Sequence, residues 1–148
     1  HGKSCYQIEE ILESVGIENV GLMVFDMLDN VKFPSRSELK EHHRLEQVYQ
    51  WSRELGVTYG CPTLVTSQIS TEGEGLLFPL QGMLKESKTA KQGACDGIIM
   101  LGSSEDPLKS DVRGLSFAKH KSKLEGKPDM REEVFFDADR GRFIHEMQ

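Results

Sequence analysis

Near its start the chain reads Gly2-Lys3-Ser4, the last three letters of the phosphate-binding pattern G-x-x-x-x-G-K-[ST]. In such a loop the glycines let backbone N–H groups turn toward phosphates while the lysine reaches the β- and γ-phosphates. The strand and first glycine of the pattern would have to precede residue 1. Ser4 with Gln7 three residues on also forms a capping box, which needs no phosphate. Farther along, Asp26 closes the apolar run from Val20 to Phe25, and Gln68 closes a second run in CPTLVTSQ. Polar side chains at the carboxyl ends of strands lie where α/β sheets bind ligands, although a strand-end Asp also serves ordinary turns. Lys119 and Lys121, two apart on a strand, would share a face. The same pair also suits an exposed edge strand protected by charge.

The elements that must hold these side chains follow from periodicity. Ile8, Ile11, Leu12 and Val15 recur at helical spacing, with Gly16 placed to end the helix. The continuous run ending at Asp26 predicts a strand covered on both faces, as in a parallel sheet. Ser35 and Glu38 form another capping box, followed by Leu39, Leu45, Val48, Tyr49, Ser52 and Leu55 on one helical stripe that ends at Gly56. Trp51 is read as part of a packed edge. Strand, helix and strand make a β-α-β crossover that sets Asp26 and Gln68 at one edge of the sheet. Residues 70–82, with three glycines and a proline, predict a long loop. A short helix in MLKESKTAKQGA, a third apolar strand in DGIIMLG and alternating segments at the carboxyl end complete an α/β reading with antiparallel edge strands.

Composition narrows the classes. The 148 residues are the size of one domain, and no apolar run reaches the roughly 20 residues of a membrane helix. Cys5, Cys61 and Cys95 are scattered and odd in number, which reads as buried thiols in a reducing, cytosolic setting. His42 and His43 are adjacent and have no ligand-spaced partner. A net charge of −6 speaks against broad electrostatic binding of nucleic acid and leaves room for a local basic loop.

Together, GLMVFDML, RLEQVYQWSRELGVTYGCPTLVTSQIS, LKESKTAKQGACDGIIMLG and FAKHKSKLEG followed by FFDADRGRF resemble, in order, the RecA-like ATPase domain of DnaB-like hexameric replicative DNA helicases. The resemblance implies a RecA-like three-layer core with a mostly parallel sheet and antiparallel carboxyl-terminal strands over 1–148. It implies ATP or another NTP with Mg²⁺, and Asp26 as the residue that binds the metal, since a hard cation bridging phosphates takes carboxylate oxygen. Gln68 would sense the γ-phosphate or the attacking water. Lys119 and Lys121 would reach a neighbouring subunit's nucleotide, where the family usually carries Lys-x-Arg; a lysine lacks the bidentate fork of arginine.

The resemblance also places HGKSCYQIEEILE on the connection just before the Asp26 strand, so that Gly2-Lys3-Ser4 is a decoy and the family's phosphate loop lies upstream. The chain is then the carboxyl-terminal part of an ATPase domain, inactive by itself, with the upstream phosphate-loop segment as partner. Single-stranded DNA, a homo-oligomeric ring of hexamer type and a primase are the further implied partners, in a bacterial or phage-infected cytoplasm. Lys32, Arg36, Lys85 and Lys88 are the DNA-contact candidates, in or beside loops at about 28–36 and 69–84. Two rivals stand beside this reading. A RecA-like strand-exchange recombinase carries a late Lys-x-Lys, and a non-catalytic RecA-like module would dock on a separately encoded ATPase half. The Glu-Leu-Gly helix end and FFDADRGRF favour the helicase.

Overall fold

The computed structural model describes residues 2–34, 41–85, 88–121 and 130–144, with residues 41, 42 and 88 described by backbone only. The chain divides into two compact units, His1–Gln68 with Glu86–Cys95, and Ile69–Lys85 with Asp96–Gln148.

In the first unit Ser4 opens α1 (Cys5–Val15) with the expected reciprocal box. Its hydroxyl accepts from the Gln7 N–H at 3.3 Å, and the Gln7 side-chain oxygen accepts from the Ser4 N–H at 3.0 Å. The α1 face is only partly used: Cys5 is buried and Ile8 and Leu12 pack on the core, while Ile11 and Val15 stay exposed. Strands β1 (Met23–Phe25) and β2 (Thr63–Val65) run parallel, with Val24 opposite Leu64. Helix α2 (Glu41–Tyr59) connects them, and a short α3 (Lys88–Ala94) packs beside it.

The stripe expected on α2 is the core. Leu45, Val48, Tyr49, Ser52 and Leu55 are all buried, whereas Leu39 and the Ser35–Glu38 box lie outside the described residues. Trp51 packs between Phe25 and Phe33, at ring-centroid distances of 5.8 and 6.4 Å, and its Nε1 donates to Glu9 at 2.6 Å. The expected helix end at Gly56 is corrected. The helix runs on to Tyr59, and Gly60, at φ 62°, follows it. Gly56 instead permits close approach of helix and strand, because a Cβ there would sit 2.8 Å from Thr63 Oγ1.

Two further expectations change. Of the cysteines only Cys5 is buried; Cys61 and Cys95 are half-buried, and all three are free thiols. Strand β1 is not covered on both faces by the described residues. Met23 and Phe25 meet the core, but Val24 and its partner Leu64 are 56% and 55% exposed. Continuous hydrophobicity announces a face that calls for cover, and the described elements of this unit supply cover on one side only.

The second unit is an antiparallel sheet in the order β3 (Gly97–Ser103), β4 (Val112–His120), β5 (Arg131–Asp137), β6 (Arg142–Ile144). The loop ahead of it is ordered. Ile69 and Leu84 form a bridge, the Ser70 N–H donates to the Met83 carbonyl at 2.6 Å, and two 3-10 turns (Thr71–Gly73 and Gln81–Met83) shape the interior. Gly102 on β3 faces Gly114 on β4, and the carbonyls of Leu76 and Leu77 rest on this pair, where a Cβ on either glycine would collide with them.

Candidate functional site

Asp26 follows β1 at its carboxyl end, exposed, at the open end of the parallel pair. Thr66, the residue after β2, donates its N–H to the Phe25 carbonyl at 3.0 Å and its hydroxyl to Asp26 Oδ1 at 2.5 Å. Gln68 lies two residues beyond Thr66, exposed, at the same end of the pair. The sheet thus brings the Asp26 and Gln68 segments together, with Thr66 as the side chain that touches Asp26.

Behind this edge lies a polar cluster that sequence reasoning missed. Asp29, in the 3-10 turn after β1, accepts from Tyr49 Oη at 3.0 Å through Oδ1, and through Oδ2 from Ser67 Oγ at 3.1 Å and Lys91 Nζ at 2.9 Å. Lys91 also donates to Ser67 Oγ at 2.8 Å. Arg44 grips the same turn by its backbone, donating to the Val31 carbonyl at 3.0 Å and the Asp29 carbonyl at 3.2 Å. Burial pushes the Tyr49 phenol well above its ordinary value; the Ser67 hydroxyl opposes the rise and the Asp29 carboxylate adds to it. Asp29 and Lys91 are 62 positions apart, so no local pattern pairs them.

The remaining candidates are distributed as follows. Lys119 is half-buried on β4, but Lys121 lies in the turn just after it and not on the strand as expected; both belong to the second unit. Lys121 pairs with Asp96 at 2.6 Å, both side chains well exposed. The side chain of Lys32 is exposed, while its backbone bridges to Ser4 and ties the start of α1 to the turn region. Lys85 is exposed, Lys88 begins α3, and Arg36 lies outside the described residues.

The donor set at the sheet edge fits Mg²⁺. That ion takes one or two carboxylates and completes its shell with water and phosphate oxygens. Among the described residues Thr66 is the hydrogen-bond partner of Asp26, and it occupies one carboxylate oxygen, leaving Oδ2 for a cation. No group of three or more His, Cys, Asp or Glu gathers into a metal cage among the described residues, and none of their helices is long and apolar enough to cross a membrane.

A parallel pair with a carboxylate at its open end, followed by an antiparallel carboxyl-terminal sheet, is a RecA-like α/β fold. Two solved structures make the likeness specific. One is an ATPase domain, matched at a TM-score of 0.76 and 17% identity over 99% of this chain and 52% of that one. The other is a DnaB-like replicative helicase studied with its interactions with primase, matched at a TM-score of 0.75 and 18% identity over 97% of this chain and 36% of that one. At such identities the likeness is one of fold, and this chain spans about half the length of the first relative and little more than a third of the second. No family model and no curated protein matches the sequence.

Proposed function

We propose that this chain is part of an ATP-driven DNA helicase motor of the DnaB-like type, a hexameric ring that couples NTP hydrolysis to translocation on single-stranded DNA. The observation that carries the reading is the convergence of the Asp26 and Gln68 segments at the carboxyl end of the parallel pair, in a chain with this fold. Asp26 would hold Mg²⁺ through the oxygen that Thr66 leaves open. The ion, when bound with nucleotide, supplies charge neutralisation at the phosphates. Gln68 would orient the attacking water or sense the γ-phosphate with an amide that both donates and accepts. Lys119 and Lys121 would act on the nucleotide of a neighbouring subunit. Lys32, Arg36, Lys85 and Lys88 are the proposed contacts to DNA, primase is a proposed partner, and the setting is a bacterial or phage-infected cytoplasm.

The open face of the parallel pair supports a further partner. The matched ATPase domain is nearly twice as long as the part this chain aligns with. Val24 and Leu64 form an exposed apolar stripe on the sheet. A phosphate-loop segment of the kind that completes such a domain would cover that stripe and supply the lysine and backbone amides for the phosphates. With Ser4 engaged as a helix cap, the opening Gly2-Lys3-Ser4 has a structural occupation of its own.

The test is NTPase activity, with and without single-stranded DNA, of this chain alone and of a longer protein that adds a phosphate-loop segment ahead of residue 1. Activity confined to the longer protein, and lost in Asp26→Ala and in Gln68→Ala, supports the motor. Activity of the chain alone would assign Lys3 and Ser4 to phosphate binding. An inactive longer protein, with this chain binding a separately encoded ATPase, would favour the assembly module. The recombinase reading rests on Lys119 and Lys121, and strand exchange without unwinding would select it.

A further inference from the structure

Lys91 is the most deeply buried cation among the described residues, its side chain 3% exposed. Burying an ammonium is unfavourable unless it is paired and hydrogen-bonded, and an apolar residue of similar length would fill the same space without that penalty. Its contacts explain its presence. An ammonium can only donate, so Ser67 Oγ must accept from Lys91, and the Ser67 proton is then directed to Asp29. The three groups lock one another into one hydrogen-bond direction. Tyr49 adds a fourth side, donating to Asp29 with its ring 5.5 Å from the ammonium.

The position of this lock along the chain gives it a consequence. Ser67 stands between Thr66, which holds Asp26, and Gln68. Asp29 is three residues beyond Asp26.

We propose that Lys91 is a positioning residue: by holding Ser67 and Asp29 together it sets Gln68 relative to Asp26. The inference rests on the reading of Asp26 and Gln68 as the nucleotide-responsive pair. Lys91 itself touches neither nucleotide nor metal in this account.

The test has two arms. On this chain alone, amide hydrogen exchange is measured at Thr66, whose N–H is bonded to the Phe25 carbonyl, and along α1 as an internal control. Lys91→Met is expected to accelerate exchange at Thr66 by about tenfold or more while α1 is unchanged, and Lys91→Arg, which restores the donors, to recover protection. Unchanged exchange at Thr66, or equal acceleration in α1, overturns the proposal. Should Lys91→Met fail to fold, Ser67→Ala, which keeps the ion pair with Asp29, makes the same comparison. In the longer, phosphate-loop-containing protein, Lys91→Met is expected to lower kcat on the order of 10- to 100-fold with nucleotide KM unchanged, as for other supporting shells of a site. Arginine should restore it. Loss of KM and kcat together, or of neither, overturns the catalytic part. If the unsubstituted longer protein has no NTPase activity, the motor reading fails, and the exchange arm decides whether Lys91 orders the strand end.

Discussion

The hydroxyl of Thr66 donates to Asp26 Oδ1 at 2.5 Å across the open end of the parallel pair. A carboxylate with one oxygen held in this way presents the other in a fixed direction, which suits a cation. Thr66→Val keeps the β-branched shape and removes the hydroxyl. Because both side chains are exposed, chemical denaturation should show a stability loss of only about 1 kcal/mol or less. In the longer, phosphate-loop-containing protein of the proposed function, the Mg²⁺ concentration for half-maximal NTPase activity should rise about 10-fold or more, in line with other losses of a hydrogen bond behind a metal ligand. An unchanged Mg²⁺ titration would remove Thr66, and with it the fixed oxygen of Asp26, from the mechanism.

Gly114 and Gly102 should tolerate no side chain. A methyl group at Gly114 falls on the Leu77 carbonyl, a backbone atom that cannot swing aside as a flexible side chain would. Gly114→Ala is expected to lower stability by roughly 1–3 kcal/mol, the range for overpacking, read as a drop in thermal midpoint. Amides of residues 76–78 should lose exchange protection before those of β5.

The open stripe on the parallel pair separates fold from assembly. Val24→Thr with Leu64→Thr keeps two residues that suit or tolerate a strand while making the face polar. In this chain alone the double variant should stay within about 1 kcal/mol of the parent in denaturant, because neither side chain is in the core. Leu45→Ala, at a fully buried position, should lose about 2–5 kcal/mol. Pull-down of a phosphate-loop segment by the chain should fail in the double variant and survive in a surface control such as Leu108→Thr. Equal capture by all of them would place the contact elsewhere.

Tyr49 predicts an alkaline limit. Its phenol is held neutral by burial, with its folded value above the ordinary one. A raised value means that its contribution is fully present below the unfolded pKa of about 10 and is lost as the pH climbs from there toward the folded value. Urea unfolding between pH 9 and 11 should therefore show a falling stability whose slope approaches about 1.4 kcal/mol per pH unit from this group. Tyr49→Phe should flatten that part of the curve. It should also lower stability at pH 7 by about 1 kcal/mol, through the lost bond to Asp29.

What could be read from the sequence was whatever is written locally. Ser4 and Gln7 are three residues apart, and their box formed as spelled; the α2 stripe from Leu45 to Leu55 is a 3.6-residue pattern and became the core. Asp26 was legible as a strand-end residue because an apolar run ends where it stands, whereas Gln68 lies three residues beyond the end of β2. Gly56 was misread because a glycine that ends a helix and one that lets a strand approach look alike until the neighbour, Thr63, is known. Asp29, Ser67 and Lys91 carried no signal, since an ordinary charge in a short polar helix looks like a solvated face. Their meaning lies in a meeting across 62 positions that only the fold arranges. The open side of β1 was invisible for the opposite reason: hydrophobicity reports that a face seeks cover and says nothing of which segment provides it.

The bridge between Ile69 and Leu84 has an evolutionary reading. A segment whose two ends are pinned side by side behaves as an exchangeable cassette, and doubling the length of a flexible loop so held adds only about 0.6 kcal/mol of closure entropy. Its seat on two glycines constrains the path of the backbone at 76–77 but not the identity of the side chains there. Lineages can therefore rewrite what this cassette touches while the strands beneath it stay the same, and specificity can diverge without the scaffold being rebuilt.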